Sequence, residues 1–157
     1  MNAYNRARAL GGPLDTFITI RWALTGKGEA KIQFRWQCLL NAFRIWAKRH
    51  GFKLAHVWVH ENPHYGSFNT HVLANIPANR RQELQAWIEA QLNAQFGGVD
   101  VQPRVASGWY RDDRVRYMVK GTDWVTAKKF RLMTPKGWDC RQGPIDFKRC
   151  GWSNTER

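Results

Sequence analysis

Two amphipathic helical stripes with a β-hairpin between them are the feature that most constrains how this chain folds. The first stripe runs through residues 30–51, where apolar side chains recur at three- and four-residue steps and Gly51 ends the pattern. A second stripe of the same kind occupies residues 80–96. Between them, residues 52–61 and 68–76 read as strands joined by the turn "NPHYGS". This order predicts a hairpin whose strands are connected to the rest of the fold by helices.

The flanking segments complete the plan. Residues 15–24 are β-branched and aromatic and read as a first strand. Residues 99–105 read as a short fourth strand, in which Pro103 favours an edge position or a break. Pro77 ends the third strand, and Asn79 is positioned to cap the second helix. The predicted fold class is therefore α+β: a split βαβ (βαββαβ) antiparallel sheet with helices packed on it.

The length of 157 residues predicts one domain. Its core is expected to cover about residues 15–121 and to end in a short helix at 110–121. Residues 122–157 are rich in Gly, Trp, Lys and Arg, and read as a basic, mostly irregular C-terminal extension that could include one further strand.

Charge points to the class of partner. The chain has 25 Lys and Arg against 12 Asp and Glu, a formal net charge of +13, and the excess is spread along its length. A folded domain this basic most often binds a polyanion, and nucleic acid is the first candidate. The alternative is a solvated basic surface that serves solubility, although the charge exceeds what solubility needs.

The cysteine content and the hydropathy of the chain indicate the cellular compartment in which the protein is expected. Three cysteines without a CxxC pair argue against a disulfide framework and favour a reducing cytosol. No run is apolar and long enough to span a bilayer, and residues 1–13 lack the apolar core of a secretion signal. We therefore expect a cytoplasmic protein with no membrane partner.

The hairpin gathers side chains that could bind a metal ion. Asn69 and His71 share one face of the third strand, and Glu61 or His60 lies beside them across the hairpin, depending on the register. An imidazole, an amide oxygen and a carboxylate suit Mg²⁺ or Mn²⁺ better than zinc. The alternative is that His71 only satisfies a hydrogen bond on a half-buried face.

A second constellation lies in "VRYMVKGT", where Tyr117 and Lys120 are three residues apart and so share one face of a helix. A tyrosine hydroxyl can attack a phosphodiester, and a neighbouring ammonium can orient the phosphate. Arg114 and Arg116 add charge to the same turn. The alternative is an ordinary helix aromatic packed against the sheet.

Aromatic and basic residues alternate towards the C-terminus. Phosphates can bind the cations while unpaired bases stack on the rings, so the pattern fits a groove for single-stranded nucleic acid. We expect at least half of the tryptophans in this pattern to pack in the hydrophobic core instead. The series contains Trp109, Arg111, Trp124, Lys128, Lys129, Arg131, Lys136, Trp138, Arg141 and Trp152.

Taken in order, "FITIRW", "NTHVL" and "YMVK" resemble the motifs of the HUH endonucleases, and more narrowly the single-tyrosine Rep catalytic domain that initiates rolling-circle replication. The resemblance spans about residues 16–121, with Glu61 near the position of the family's acidic ligand, and "RQGPIDFKRCGWS" is similar to the end of bacterial and phage Rep-like proteins. It implies nicking and rejoining of single-stranded or hairpin DNA through a 5′-phosphotyrosine on Tyr117, with Lys120 assisting and Mg²⁺ or Mn²⁺ bound nearby.

One departure from the family pattern affects the ligand set. Asn69 and Thr70 stand where the family has its first histidine and its hydrophobic residue. An amide oxygen binds most divalent transition ions more weakly than imidazole does, so we expect lower metal affinity, or substitution by His60 or His64. A binding-only relative stays open as an alternative.

Three other functions fit the same residues. A single-tyrosine transposase or a relaxase would use the same chemistry on different DNA ends, and a non-catalytic nucleic-acid-binding module could use the same sheet plan. The chain has no GxxxxGK[ST] phosphate loop, so unwinding would require a host helicase or a substrate that is already single-stranded.

Overall fold

A computed structural model of the chain describes residues 9–10, 12–22, 29–62, 68–92, 98–103 and 150–153. These residues form an α+β fold, as predicted. Its elements in chain order are β1 (Thr16–Arg21), α1 (Glu29–Arg49), β2 (His56–Glu61), β3 (Asn69–Ala74), α2 (Arg81–Leu92), β4 (Gly98–Pro103) and β5 (Cys150–Trp152).

Within the described ranges the strands form one antiparallel sheet in the order β4-β1-β3-β2-β5. Strand β3 lies between β1 and β2, which α1 connects, and this is the split βαβ arrangement expected from the sequence. Among the described strands β4 lies at one edge of the sheet and ends at Pro103, which agrees with both alternatives predicted from that proline. Strand β5 lies at the other edge and is the further strand allowed for in the C-terminal extension.

Both helices cover the same face of the sheet. Side chains alternate along each strand, and the set that includes Ile18, Trp58 and Val72 packs into one apolar core with the inner faces of α1 and α2. From α1, Trp36 is fully buried in this core, and from α2, Leu84 is. The three- and four-residue spacing of the stripes therefore corresponds to the buried faces of the two helices.

The end of α1 is a Schellman turn. Phe52 donates its backbone N–H to Ala47 O, Gly51 donates to Lys48 O, and Gly51 adopts φ 78°, a conformation that glycine takes without steric penalty. The ring of Phe52 then packs edge-on against Trp46 with centroids 5.9 Å apart. This turn satisfies carbonyls of the last helical turn and directs the chain towards β2.

The start of α2 differs from the prediction. Asn79 lies inside a 3₁₀ turn (Ala78–Arg80) that precedes the helix, so the cap predicted at this residue is wrong. Pro77 has a fixed φ and begins this tighter turn. The helix is instead held to the start of β1 by Arg81, whose guanidinium binds Asp15 at 3.1 Å and donates to Thr16 Oγ1 at 2.9 Å.

Several predicted features lie outside the described residues. They include the last residues of the second helical stripe (93–96), the short helix at 110–121 and most of the C-terminal extension (122–149 and 154–157). No helix among the residues that the structure describes is long and apolar enough to cross a bilayer.

Candidate metal centre

The register of the hairpin brings three of the predicted ligands to one place on the sheet face opposite the helices. Glu61 of β2 lies directly across from Asn69 of β3, and His71 lies two residues further along β3 on the same face. Arg21 of β1 is the neighbour of Asn69 on its other side. Of the two possibilities that sequence left open across the hairpin, the structure places Glu61 beside His71.

His71 is held in a defined orientation by three neighbours. Its Nε2 lies 3.2 Å from Glu61 Oε2, and its Nδ1 lies 3.1 Å from Thr19 Oγ1. The ring stacks on Phe17 with centroids 5.4 Å apart and an interplanar angle of 14°. Both ring nitrogens and one ring face are therefore engaged, which restricts rotation of the imidazole.

The pair is removed from solvent. Glu61 is 1% exposed and His71 is 4% exposed, whereas Asn69 is half-buried. A carboxylate taken out of water requires a charged or hydrogen-bonding partner, because its desolvation is costly. The Nε2–H of His71 supplies one when it donates to Glu61 Oε2, and a bound cation would supply a stronger one.

The geometry fits a hard divalent cation. Adjacent ligands of an octahedral Mg²⁺ ion are about 3.0 Å apart when each bond is about 2.1 Å, and the Nε2–Oε2 distance is 3.2 Å. If a cation replaces the proton on Nε2, the proton moves to Nδ1 and is donated to Thr19 Oγ1, so Thr19 supports both states. The described His, Cys, Asp and Glu residues form no group of three that could hold a metal ion. Asn69, which lies across from Glu61 on the same face, is the remaining ligand predicted from the sequence.

His60 does not belong to this site. It pairs with Thr70 and so projects to the helix face, opposite His71, and its inclusion among the metal ligands is corrected. The Thr70 hydroxyl accepts the indole N–H of Trp22 at 2.7 Å and can donate its own proton to His60 Nδ1, also at 2.7 Å. Burial lowers the pKa of His60 to about 3, so the ring is a neutral member of the core.

The predicted catalytic and DNA-binding residues other than Trp152 lie outside the described part of the chain, as does His64, the other suggested replacement ligand. Their roles therefore stay predictions. The group consists of Tyr117, Lys120, Trp109, Arg111, Arg114, Arg116, Lys128, Lys129 and Arg131. Trp152 lies at the end of β5 and is exposed.

Sequence reasoning missed the residues that hold His71 in place. Thr19 and Phe17 reach the imidazole only because β1 pairs with β3 in a register that sets Thr19 opposite His71. The available signal was the polar side chain of Thr19 between Ile18 and Ile20, in a strand that also begins with a threonine and ends with an arginine. Without the register, that signal does not identify a partner.

Comparison of the chain with protein-family models, with curated proteins and with solved structures finds no match in any of the three. The geometry of the site and the residues of the sequence are therefore the basis for assigning a function.

Proposed function

We propose that this protein is a metal-dependent endonuclease that nicks and rejoins single-stranded DNA by transesterification through Tyr117. In this proposal it initiates rolling-circle replication of a plasmid or phage. The observation that supports this proposal most directly is that His71, Glu61 and Asn69 lie together on one face of the sheet. The split βαβ order and the net charge of +13 are compatible with it.

Each residue has a distinct task in the proposed reaction. His71, Glu61 and Asn69 would hold Mg²⁺ or Mn²⁺, and such a cation would supply polarisation of the scissile phosphate. The hydroxyl oxygen of Tyr117 forms a bond to phosphorus as the bond from phosphorus to the 3′-oxygen breaks. Tyr117 releases its proton to solvent, and the departing 3′-oxygen takes one up. The ammonium of Lys120 orients the phosphate, and the reverse reaction rejoins the strand.

A binding-only protein is the second candidate, because the site has an amide where a second imidazole would give tighter metal binding. The His71–Glu61 contact is also a satisfactory hydrogen bond without a cation. This candidate differs from the first in one outcome only: it binds DNA without forming a covalent adduct. A single-tyrosine transposase or relaxase would form the adduct and would differ in the DNA ends it recognises.

Adduct formation tests the proposal. The protein is incubated with pools of labelled single-stranded and hairpin oligonucleotides and Mn²⁺, and the products are separated under denaturing conditions. We expect a protein–DNA band that resists denaturant, requires the divalent cation and is absent from Tyr117→Phe. Specific DNA binding without any adduct, across Mg²⁺ and Mn²⁺ and across the pools, would support the binding-only protein.

The metal site is tested separately with His71→Ala. We expect the variant to lose cleavage and to keep most of its DNA affinity, because surface charge carries binding whereas the cation carries the chemistry. His50→Ala is the matched control, since it removes a histidine from the end of α1 and should leave cleavage unchanged. Equal loss of binding and cleavage in His71→Ala would mean that His71 is structural.

A further inference from the structure

A second site is suggested by a cavity of about 800 Å³ between the end of α1, the Schellman turn that follows it, and the residue after β5. Three cationic side chains line it, Arg44, Lys48 and Lys53, together with the apolar side chains of Phe52 and Leu54. Ser153 closes one side, held by backbone and hydroxyl hydrogen bonds to His56. This volume lies within the range of ligand sites in proteins, about 300–1,000 Å³.

Local structure explains why the cations converge. Arg44 and Lys48 are four residues apart on α1 and therefore share one face of the helix. The Schellman turn at Gly51 reverses the chain and brings Lys53 to the same cavity. None of the described residues that line the cavity is acidic, so the three positive charges are not neutralised by a carboxylate within this lining.

Two neighbouring features affect binding of an anion. The C-terminal end of a helix carries a partial negative charge, which opposes an anion. At α1 the carbonyls of Ala47 and Lys48 are already occupied by the N–H groups of Phe52 and Gly51, and three full positive charges outweigh what remains. His56, buried behind Ser153, has its pKa lowered to about 3 by burial and by the charge of Arg44, so it adds no charge of its own.

We propose that this cavity binds a short segment of single-stranded nucleic acid, with phosphates on Arg44, Lys48 and Lys53 and a sugar or base against Phe52 and Leu54. A nucleotide strand carries charged phosphates that alternate with the apolar faces of its bases, so it matches a cavity that is lined by both cationic and apolar side chains. An acidic peptide has carboxylates but no such rings, so it would make fewer contacts with Phe52 and Leu54.

The cavity is distinct from the metal centre. It lies on the helix side of the sheet near His56, the first residue of β2, whereas Glu61 is the last residue of β2 and projects to the other face. Five residues of extended strand separate the two along the sheet by about 17 Å. The inference therefore does not require strand cleavage.

Charge-matched variants test the proposal. The double variant Lys48→Gln/Lys53→Gln removes two cations from the cavity, and Lys31→Gln/Arg49→Gln removes two exposed cations of α1 that do not line it. Binding of a fluorescent twelve-nucleotide oligo-dT is measured by anisotropy in EDTA, from about 50 to 200 mM salt. Circular dichroism establishes that both variants are folded.

We expect Lys48→Gln/Lys53→Gln to weaken binding about tenfold at low salt and to reduce the slope of log Kd against log salt by about 1.4, or about 0.7 for each lost phosphate contact. The control pair should stay within about twofold of the wild type. Equal losses in the two pairs, or none in either, would show that the cavity is not a specific site. Equal competition by poly-glutamate of matched charge would overturn the choice of a nucleic acid over an acidic peptide.

Discussion

His60 and His71 lie on adjacent strands of one hairpin and have opposite chemical environments. Because side chains alternate between the two faces of a strand, His60 projects into the apolar core, where it contacts Trp58 and Trp36. His71 projects from the other face, where it contacts Glu61. Burial keeps His60 neutral, and the carboxylate beside His71 makes that site suitable for a cation. The two faces thus separate a structural role from the proposed functional one.

At this scale the first prediction concerns Thr19. Because its hydroxyl orients His71 through Nδ1, Thr19→Val should weaken Mn²⁺ affinity about tenfold, at the lower end of what loss of such a supporting hydrogen bond produces. Thr19→Ser keeps the hydroxyl and is the control. Titration followed by electron paramagnetic resonance measures both. An unchanged affinity in Thr19→Val would remove Thr19 from the account of the site.

A second prediction concerns stability in acid. The pKa values of His56 and His60 are lowered from 6.5 to about 3 in the folded protein, so between these values the unfolded chain binds more protons. The free energy of unfolding should therefore fall as pH decreases below 6.5, by about 1.4 kcal/mol per pH unit for each histidine at most.

Urea unfolding at several pH values between 6.5 and 5 measures this slope. His60→Gln retains an acceptor for the Thr70 hydroxyl but has no proton to gain, so it should remove the share of the slope that belongs to His60. The same slope in the variant and the wild type would mean that His60 is protonated as readily in the folded protein as in the unfolded chain.

At the scale of elements, the end of α1 depends on one backbone conformation. Gly51 has φ 78° and nothing lies within 4 Å of the position of an added Cβ, so the penalty of a side chain there is conformational alone. Gly51→Ala should lower the free energy of unfolding by about 1 kcal/mol, and Gly51→Asn by less, because asparagine adopts this conformation more readily. Urea unfolding checks both, and an equal loss in the two variants would contradict the assignment.

The position of β5 depends on Gly151. A Cβ added there would lie 2.7 Å from the indole of Trp58, which is buried, so Gly151→Ala should displace β5 or Trp58 and lower the free energy of unfolding by about 1–3 kcal/mol. Trp58→Phe in the same chain makes room, so the double variant should lose less than the sum of the two single variants. Strict additivity would show that the two residues are not in contact.

The elements could be predicted from sequence because each is encoded locally. Side-chain period, Gly51 and Pro77 were sufficient for β1 to β4 and for α1 and α2, and Pro103 indicated the edge position of β4 among the described strands. Strand β5 was only allowed for, and the predicted helix at 110–121 lies outside the described residues. The start of β2 was placed four residues too early, since Phe52, Leu54 and Ala55 are apolar but belong to the Schellman turn and its exit. There the side chain of Asn75 bridges to Ala55 N and Lys53 O, a contact that no local pattern predicts.

The site was less predictable than the fold, because it depends on register. His71, Asn69 and Glu61 were recognised as ligand types, but the choice of Glu61 over His60 required the pairing of β2 with β3. Thr19 required the further pairing of β1 with β3, between residues 52 positions apart in the chain. Long-range pairing of this kind is set by the packing of the whole sheet and cannot be obtained from a short segment.

At the scale of the whole molecule, the sheet separates two proposed nucleic-acid sites. The metal centre lies on the face away from the helices, and the cationic cavity lies on the helix side at the other end of β2. The net charge of +13 attracts a nucleic-acid backbone to the whole surface, in addition to the contacts at either site. A pair of variants with equal loss of charge is therefore needed to separate a specific contact from this general attraction.

The most direct measurement is a crystal structure of the protein with Mn²⁺, with the ion located by its anomalous scattering. The account predicts a peak about 2.0–2.3 Å from both His71 Nε2 and Glu61 Oε2, with Asn69 Oδ1 in the same coordination sphere and the Tyr117 hydroxyl facing the ion across a gap that a phosphate can fill. A structure with no ion between His71 and Glu61 at saturating Mn²⁺, or with Tyr117 turned away from them, would contradict it.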